Sequence, residues 1–182
     1  MLKTKIAVFV SGGGTNFEAL INAQENGKIP HGEIVLMVSS SKTAYALKRA
    51  ENHGIKSVVC SKKELGSQES FEEEILKNLE ENDIQLIVLA GFMSILSKEF
   101  TKKYENRIIN IHPSLIPSFC GEGFYGLHVH EAALKKGVKV TGATVHIVNE
   151  IPDGGPIIMQ RAVYVEENDT PEILQKRVME QA

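Results

Sequence analysis

Residues 5–14 read KIAVFVSGGG, a short apolar run that breaks into a serine and three glycines. A run of this length, apolar at every other position and between, suits a strand buried on both faces. The glycines then turn the chain. Thr15–Asn26 follows with Phe17, Leu20 and Ile21 spaced three and four apart, a helical pattern that Gly27 ends. Strand, glycine turn and helix make the opening of a βαβ unit, and the next segments repeat it. Glu33–Val38 predicts a second strand and Ala44–Asn52 a helix that stops at His53-Gly54. Ile55–Val59 predicts a third strand, Phe71–Asn82 an amphipathic helix carrying Ile75, Leu76 and Leu79, and Ile84–Ala90 a fourth strand ending at Gly91. Strands that alternate with helices of such length imply a parallel sheet, with right-handed crossovers placing helices on both faces.

Beyond Ala90 the rhythm changes. Arg107–Ile111 is another apolar strand, and Ser114–Gly126 is a long loop with Pro117, Gly121, Gly123 and Gly126. Val138–Val148 and Ile157–Val165 read as two strands near enough in sequence to pair as antiparallel neighbours. Glu172–Ala182 reads as a helix in which the sequence stops with no capping residue. Either the domain is short there or a closing segment follows.

The 182 residues fit one domain able to bury a core without staples. A net charge of −3 excludes the broad basic face that nucleic acid needs, though not a small anionic ligand. Cys60 and Cys120 form no disulfide framework and are expected as free thiols. No segment has the length of a membrane span or the pattern of a signal peptide, so a cytoplasmic protein is expected.

The turn SGGGTN exposes backbone N–H groups at a helix start, where phosphate is the natural guest. A dinucleotide site would need a third glycine where Phe17 stands and a carboxylate after Val38, where SSSK follows. A phosphate loop would need Gly-Lys-Ser/Thr. The rival is a plain tight turn. Asn110 and His112 lie two apart at the carboxyl end of a strand, hence on one side. An amide and an imidazole so placed suit the oxyanion of an acyl transfer. Alternatively the histidine is a strand-end group bonded to a backbone carbonyl. Asp153, before Gly154-Gly155-Pro156, either faces His112 and holds it protonated or serves its own turn; spacing alone favours the turn. His112, His128, His130 and His146 match no zinc spacing, so no metal is expected. Cys120 reads as a loop thiol and Glu72-Glu73-Glu74 as a solvated helix face.

Together VSGGGTNFEALI (10–21), LAGFMSILS (89–97), NIHPSLIPSF (110–119) and GATVHIVNEIPDGGPII (142–158) resemble the phosphoribosylglycinamide formyltransferase family over nearly the whole chain. The resemblance implies a single α/β domain with a Rossmann-like, mostly parallel seven-stranded sheet. It implies transfer of a formyl group from 10-formyltetrahydrofolate, a cosubstrate, to the amine of glycinamide ribonucleotide, in a monomer or homodimer with no metal. Asn110, His112 and Asp153 match the catalytic trio, with His112 as proton donor and Asp153 raising its pKa and ordering a water. Gly13, Gly14, Thr15 and Asn16 match the phosphate turn. Gln68, Met93, Ser94, Ile95 and Leu96, with Asn110 and the loop Asn149, Glu150, Ile151, Pro152 and Asp153, match the folate pocket.

Three departures stand out. Ser94 and Gln68 replace arginines usual in the family, the loop SFCGEGFYG (118–126) is longer than usual, and the sequence stops near a glutamate expected to face ribose. Formyltetrahydrofolate deformylase shares the Asn-x-His and Asp core, but usually carries an N-terminal regulatory domain and tends to place His where Pro113 stands. Methionyl-tRNA formyltransferase carries an additional RNA-binding domain. A sugar-phosphate-binding module without catalysis is the rival from another class.

Overall fold

The structure, a computed structural model, describes residues 2–181. Its elements in chain order are β1 (Thr4–Val10), α1 (Thr15–Glu25), β2 (Gly32–Ser39), α2 (Ala46–Asn52), β3 (Lys56–Val59), α3 (Lys62–Leu65), α4 (Gln68–Glu81), β4 (Leu86–Leu89), α5 (Lys98–Lys103), β5 (Ile108–His112), α6 (Leu127–Lys136), β6 (Val140–Ile147), β7 (Ile157–Tyr164) and α7 (Pro171–Met179). The strands form a mixed seven-stranded sheet in the order β3-β2-β1-β4-β5-β6-β7. The chain divides into two compact units, one ending at Ile108 and one beginning at Ile109.

The first unit is the repeated βαβ pattern. β1 pairs in parallel with β2 and β4, and β2 with β3. Ala7, Val8, Phe9 and Val10 are buried, as an apolar run covered on both faces must be. Helix α1 turns Phe17 and Ile21, four residues apart, into the cluster of Ile6, Val8, Ile34 and Met37. Helix α4 begins three residues ahead of the apolar pattern, because Ser67 caps it by accepting the Ser70 N–H at 3.0 Å. Its buried face carries Phe71, Ile75 and Leu79, but also Glu72. That corrects the reading of Glu72 as solvated: three donors hold its carboxylate.

In the second unit β6 pairs antiparallel with both β5 and β7. The β6–β7 pairing was expected from the sequence; the β5–β6 pairing was not. Helix α6 (LHVHEAALKK) was missed because glycines precede it and its apolar stripe is short. Helix α7 starts at a Thr170 cap with Pro171 in its first turn, and sets Leu174 and Val178 against Ala133, Ala143 and Val163. The expected helix therefore ends at Met179, and Ala182 lies outside the described residues.

Candidate active site

The antiparallel register of β5 and β6 sets Asn110 opposite His146 and His112 opposite Thr144. Strand pairing alone thus puts two polar pairs side by side. Asn110 is half-buried, and its Nδ2 lies 3.1 Å from His146 Nε2. His146 Nδ1 lies 2.9 Å from the Ile147 carbonyl oxygen. Asp153 reaches both imidazoles: Oδ1 is 3.5 Å from His146 Nε2 and Oδ2 is 3.4 Å from His112 Nδ1. Asp153 therefore does not serve its own turn, which is closed instead by the Gly154 N–H donating to the Ile151 carbonyl at 2.9 Å. The DGG stretch is needed for this approach. A Cβ on Gly155 would stand 1.8 Å from the Ile147 carbonyl oxygen, so only glycine lets the turn pass so close to the end of β6.

The Ser114–Gly126 loop completes the group. His112 Nε2 donates to the Phe119 carbonyl at 2.8 Å, and the Gly121 N–H donates to Asp153 Oδ2 at 2.9 Å. His112 is consequently only 4% exposed. The two readings offered by the sequence for this histidine coexist, a backbone carbonyl on one nitrogen and a carboxylate beside the other. The loop is anchored at its start by buried Thr144, whose hydroxyl donates to the Ser114 carbonyl at 2.6 Å and accepts the Ile116 N–H at 3.1 Å.

Burial alone would raise the Asp153 carboxyl. The neighbouring His146 ring, the donating Gly121 N–H and the His112 ring outweigh it and hold the group below its ordinary value. The Cys120 thiol is pushed up, first by burial and then by Asp153, which makes it a poor nucleophile. His130 on α6 is fully buried and neither ring nitrogen has a hydrogen-bond partner among the described residues. Burial, then the charge of His112, lowers its pKa, so it stays neutral. Among the described residues no cluster of three or more His, Cys, Asp or Glu is arranged to hold a metal.

The first unit holds the other predicted residues. The glycine turn is pulled against α2 by two carbonyls. Gly12 O accepts the Ala46 N–H at 3.2 Å and Gly13 O accepts Arg49 Nε at 2.8 Å. Because N–H and C=O oppose each other across a trans peptide, the Gly13 and Gly14 amides face away from α2. Gly14 caps α1 with φ 72° and no side chain caps the helix, so the first-turn amides at Thr15 and Asn16 keep no side-chain acceptor. Arg49 also pairs with Glu18 at 3.1 Å, and that hydrogen bond, foremost among several causes, lowers the Glu18 pKa.

The segment Gly91–Ser97 is held from two sides. Met93 N–H donates to Ser11 Oγ at 2.8 Å, while buried Glu72 accepts the Ser97 N–H at 2.6 Å and its hydroxyl at 2.5 Å. Gln68 donates to Glu72 at 2.6 Å and to the Ile95 carbonyl at 3.1 Å. Between these anchors Met93 and Ile95 stand 55% and 77% exposed, with Ser94 and Leu96 half-buried. In the second unit, Asn149, Glu150, Ile151 and Pro152 form an exposed bend leading to Asp153.

The structure thus gathers Asn110, His112 and Asp153 through His146, a residue that the sequence offered only as one of four scattered histidines. The pairing of β5 with β6 was the missing signal. Arg49 and Glu72 were missed likewise, because each acts on a segment distant in sequence.

A family model described as formyl transferase matches residues 4–182. The chain is 48% identical over 178 residues to the trifunctional purine biosynthetic protein adenosine-3 of Gallus gallus, covering 98% of this chain but only 17% of that protein. It is 38% identical to the chloroplastic phosphoribosylglycinamide formyltransferase of Arabidopsis thaliana, of which it spans 61%. The phosphoribosylglycinamide formyltransferase of Bacillus subtilis (strain 168) is 39% identical, with 96% of this chain and 86% of that protein covered. The crystal structure of phosphoribosylglycinamide formyltransferase from Bacillus Halodurans superposes with a TM-score of 0.89 at 41% identity, over 97% of this chain and 88% of that one. With a match that spans the strands, the glycine turn and the whole Asn110–Asp153 group, the chain belongs to the formyl transferase family.

Proposed function

We propose that this protein transfers the formyl group of 10-formyltetrahydrofolate to the amine of 5-phosphoribosylglycinamide, a step in making purines. The observation that carries the reading is the buried contact of Asp153 with both His112 and the His146–Asn110 pair, an amide, an imidazole and a carboxylate in one polar group. Relatives that match nearly all of this chain bear the corresponding name.

The chemistry follows from what each group can donate or accept. The substrate amine, once deprotonated, forms a C–N bond to the formyl carbon, and the formyl oxygen takes up negative charge. Asn110 and protonated His112 donate to that oxygen, which is where such catalysis gains most. Asp153, ionised because its pKa is held down, stabilises His112 in the charged form and accepts the ammonium proton through water. His112 then gives its proton to the leaving folate nitrogen as its bond to carbon breaks, and regains one from the new C–N nitrogen, which loses its second proton on becoming an amide. The Phe119 carbonyl is an oxygen acceptor 2.8 Å from His112 Nε2, so it stands in for the substrate oxygen in this conformation. The Ser114–Gly126 loop must withdraw before His112 can act.

The Gly13–Asn16 turn takes the substrate phosphate through backbone amides and the positive end of α1. Met93 and Ile95 offer exposed apolar surface to the donor's ring, and Asn149–Pro152 its polar edge. Gln68 acts here through its bonds to Glu72 and Ile95 rather than as a charged ligand. Small-molecule substrates, no nucleic acid, a cytoplasmic setting and a monomer or homodimer belong to the same reading; the net charge of −3 supports the second of these. Among the described residues no helix is long and apolar enough to cross a membrane.

The test is an absorbance assay of folate release with and without glycinamide ribonucleotide. Release that requires the amine is expected. Equal release without it would make the enzyme a deformylase, and phosphate binding with no release a binding module.

A further inference from the structure

We infer that His146 is a positioning residue, which fixes the flip state of the Asn110 amide through the bare Nε2 of a neutral ring protonated on Nδ1. The inference rests on the reading of Asn110 as an oxyanion donor, and deepens it.

The argument begins with the Ile147 carbonyl. A carbonyl oxygen only accepts, and it lies 2.9 Å from His146 Nδ1, so Nδ1 carries a hydrogen. In a neutral ring Nε2 then has only a lone pair. The Asn110 side chain meets that lone pair at 3.1 Å, and it must meet it with an N–H. Flipping the amide would set its carbonyl oxygen against a second acceptor. His146 is 1% exposed, so no solvent can compensate such a mismatch. One N–H of Asn110 is therefore spent on His146, and the other is left to donate, which is the half of the amide an oxyanion needs. In a free amide the two orientations are nearly isosteric, and the wrong one presents oxygen to oxygen.

Two titratable groups bear on this ring. Asp153 Oδ1 lies 3.5 Å from the same Nε2, and His112 faces the other oxygen of that carboxylate at 3.4 Å. Were His146 to gain a proton, Nε2 would turn donor, pair with Asp153 and drive off the Asn110 N–H. The neutral tautomer and the amide orientation thus stand or fall together. The exchange needs no backbone change, because β5 and β6 already hold residues 110 and 146 opposite each other.

Protein labelled with 15N at histidine gives the first test. Long-range proton–nitrogen correlation at neutral pH is expected to show His146 neutral with hydrogen on Nδ1. The Nε2–H tautomer, or an imidazolium, would overturn the inference without any variant having to fold. Turnover gives the second. His146→Leu keeps bulk without an acceptor, and is expected to lower kcat about 10²-fold, the loss of one misdirected oxyanion donor, with both KM values within about threefold. His146→Gln, which can accept from Asn110, should recover at least tenfold of that loss; a purely structural histidine would give Leu and Gln variants of similar activity. Asn110→Ala separates the two claims. If Asn110→Ala leaves kcat intact, the oxyanion reading itself fails. If it lowers kcat while His146→Leu does not, only the positioning role is lost. The Asn110→Ala/His146→Leu double variant is expected to be no slower than Asn110→Ala alone.

Discussion

Asp153 Oδ2 lies 3.4 Å from His112 Nδ1 and, on the same oxygen, accepts the Gly121 N–H at 2.9 Å. One carboxylate thus holds the histidine from below and the covering loop from above. The loop is tied down by Asp153 and, through the Phe119 carbonyl, by His112, so loosening of the loop and exposure of that imidazole go together. This coupling shapes the predictions that concern the site.

Asp153→Asn removes the carboxylate charge beside His112 and keeps the side-chain volume. Turnover should fall by about 10²–10⁴, the usual weight of a general acid–base group, while inorganic phosphate binding stays within about twofold. Steady-state kinetics with calorimetric phosphate titration checks both. Turnover near that of the parent protein would remove Asp153 from the mechanism.

Gly121→Pro deletes the N–H on Asp153 and cannot adopt the φ of 86° found there. The loop should loosen. Amide hydrogen exchange over 114–126 is expected to quicken, and His112 to react faster with diethyl pyrocarbonate. Unchanged exchange in that segment would mean that the Gly121 contact does not hold the loop closed.

Gly14→Ala meets two obstacles. Its φ of 72° costs an L-residue about 1–2 kcal/mol, and the new Cβ would stand 2.8 Å from the Ala46 Cβ. Thermal stability should drop and the KM for the ribonucleotide rise. Gly12→Ala is the control, since a Cβ there meets nothing within 4 Å. Equal melting temperatures for the two variants would refute the account of the turn.

Glu72→Ala leaves the Ser97 N–H and hydroxyl and the Gln68 amide without their acceptor. Stranding buried donors costs about 1–3 kcal/mol each at most, and part of this is recovered by water. The Met93–Ser97 segment should lose its shape, raising the KM for the formyl donor severalfold and sparing that for the ribonucleotide. A rise in both, or in neither, counts against a specific role for this anchor.

Arg177 donates to both oxygens of Asp169, at 2.6 and 2.7 Å, and these bonds, against the opposing effect of burial, lower the Asp169 pKa. A carboxyl whose folded pKa lies below its unfolded one stabilises the fold above the unfolded value, about 4, and loses that contribution as the pH falls through the folded value. Arg177→Met should therefore melt lower than the parent protein at pH 6, with the gap narrowing below about pH 4. A gap that widens on acidification would reverse the assignment.

Local pattern carried a large part of this molecule into view. KIAVFV, EIVLMV and IQLIVLA are apolar in runs too short for anything but buried strands, and glycines end them where the chain must turn. Most of the first unit was legible because its four strands and the helices α1, α2 and α4 declare themselves within a dozen residues, whereas the short helices α3 and α5 went unread. Helix α6 was not, since LHVHEAALKK carries a short apolar stripe behind a glycine-rich loop. Glu72 was misread for a different reason. Its neighbours Glu73 and Glu74 made it look solvated, and only the fold brings Ser97 to it.

The sequence by itself determined which side chains could do chemistry: the amide and imidazole two apart in NIH, the carboxylate before two glycines, the turn that leaves amides bare. Spacing along a strand and the conformational demands of glycine are local properties, and local properties are written in order along the chain. Tertiary structure alone decided that Asp153 turns to His112 rather than to its own turn, that His146 stands opposite Asn110, and that the Phe119 carbonyl covers His112. Those relations depend on strand register and loop closure between residues dozens of positions apart. A one-residue slip in either strand would send the same side chains to the opposite face.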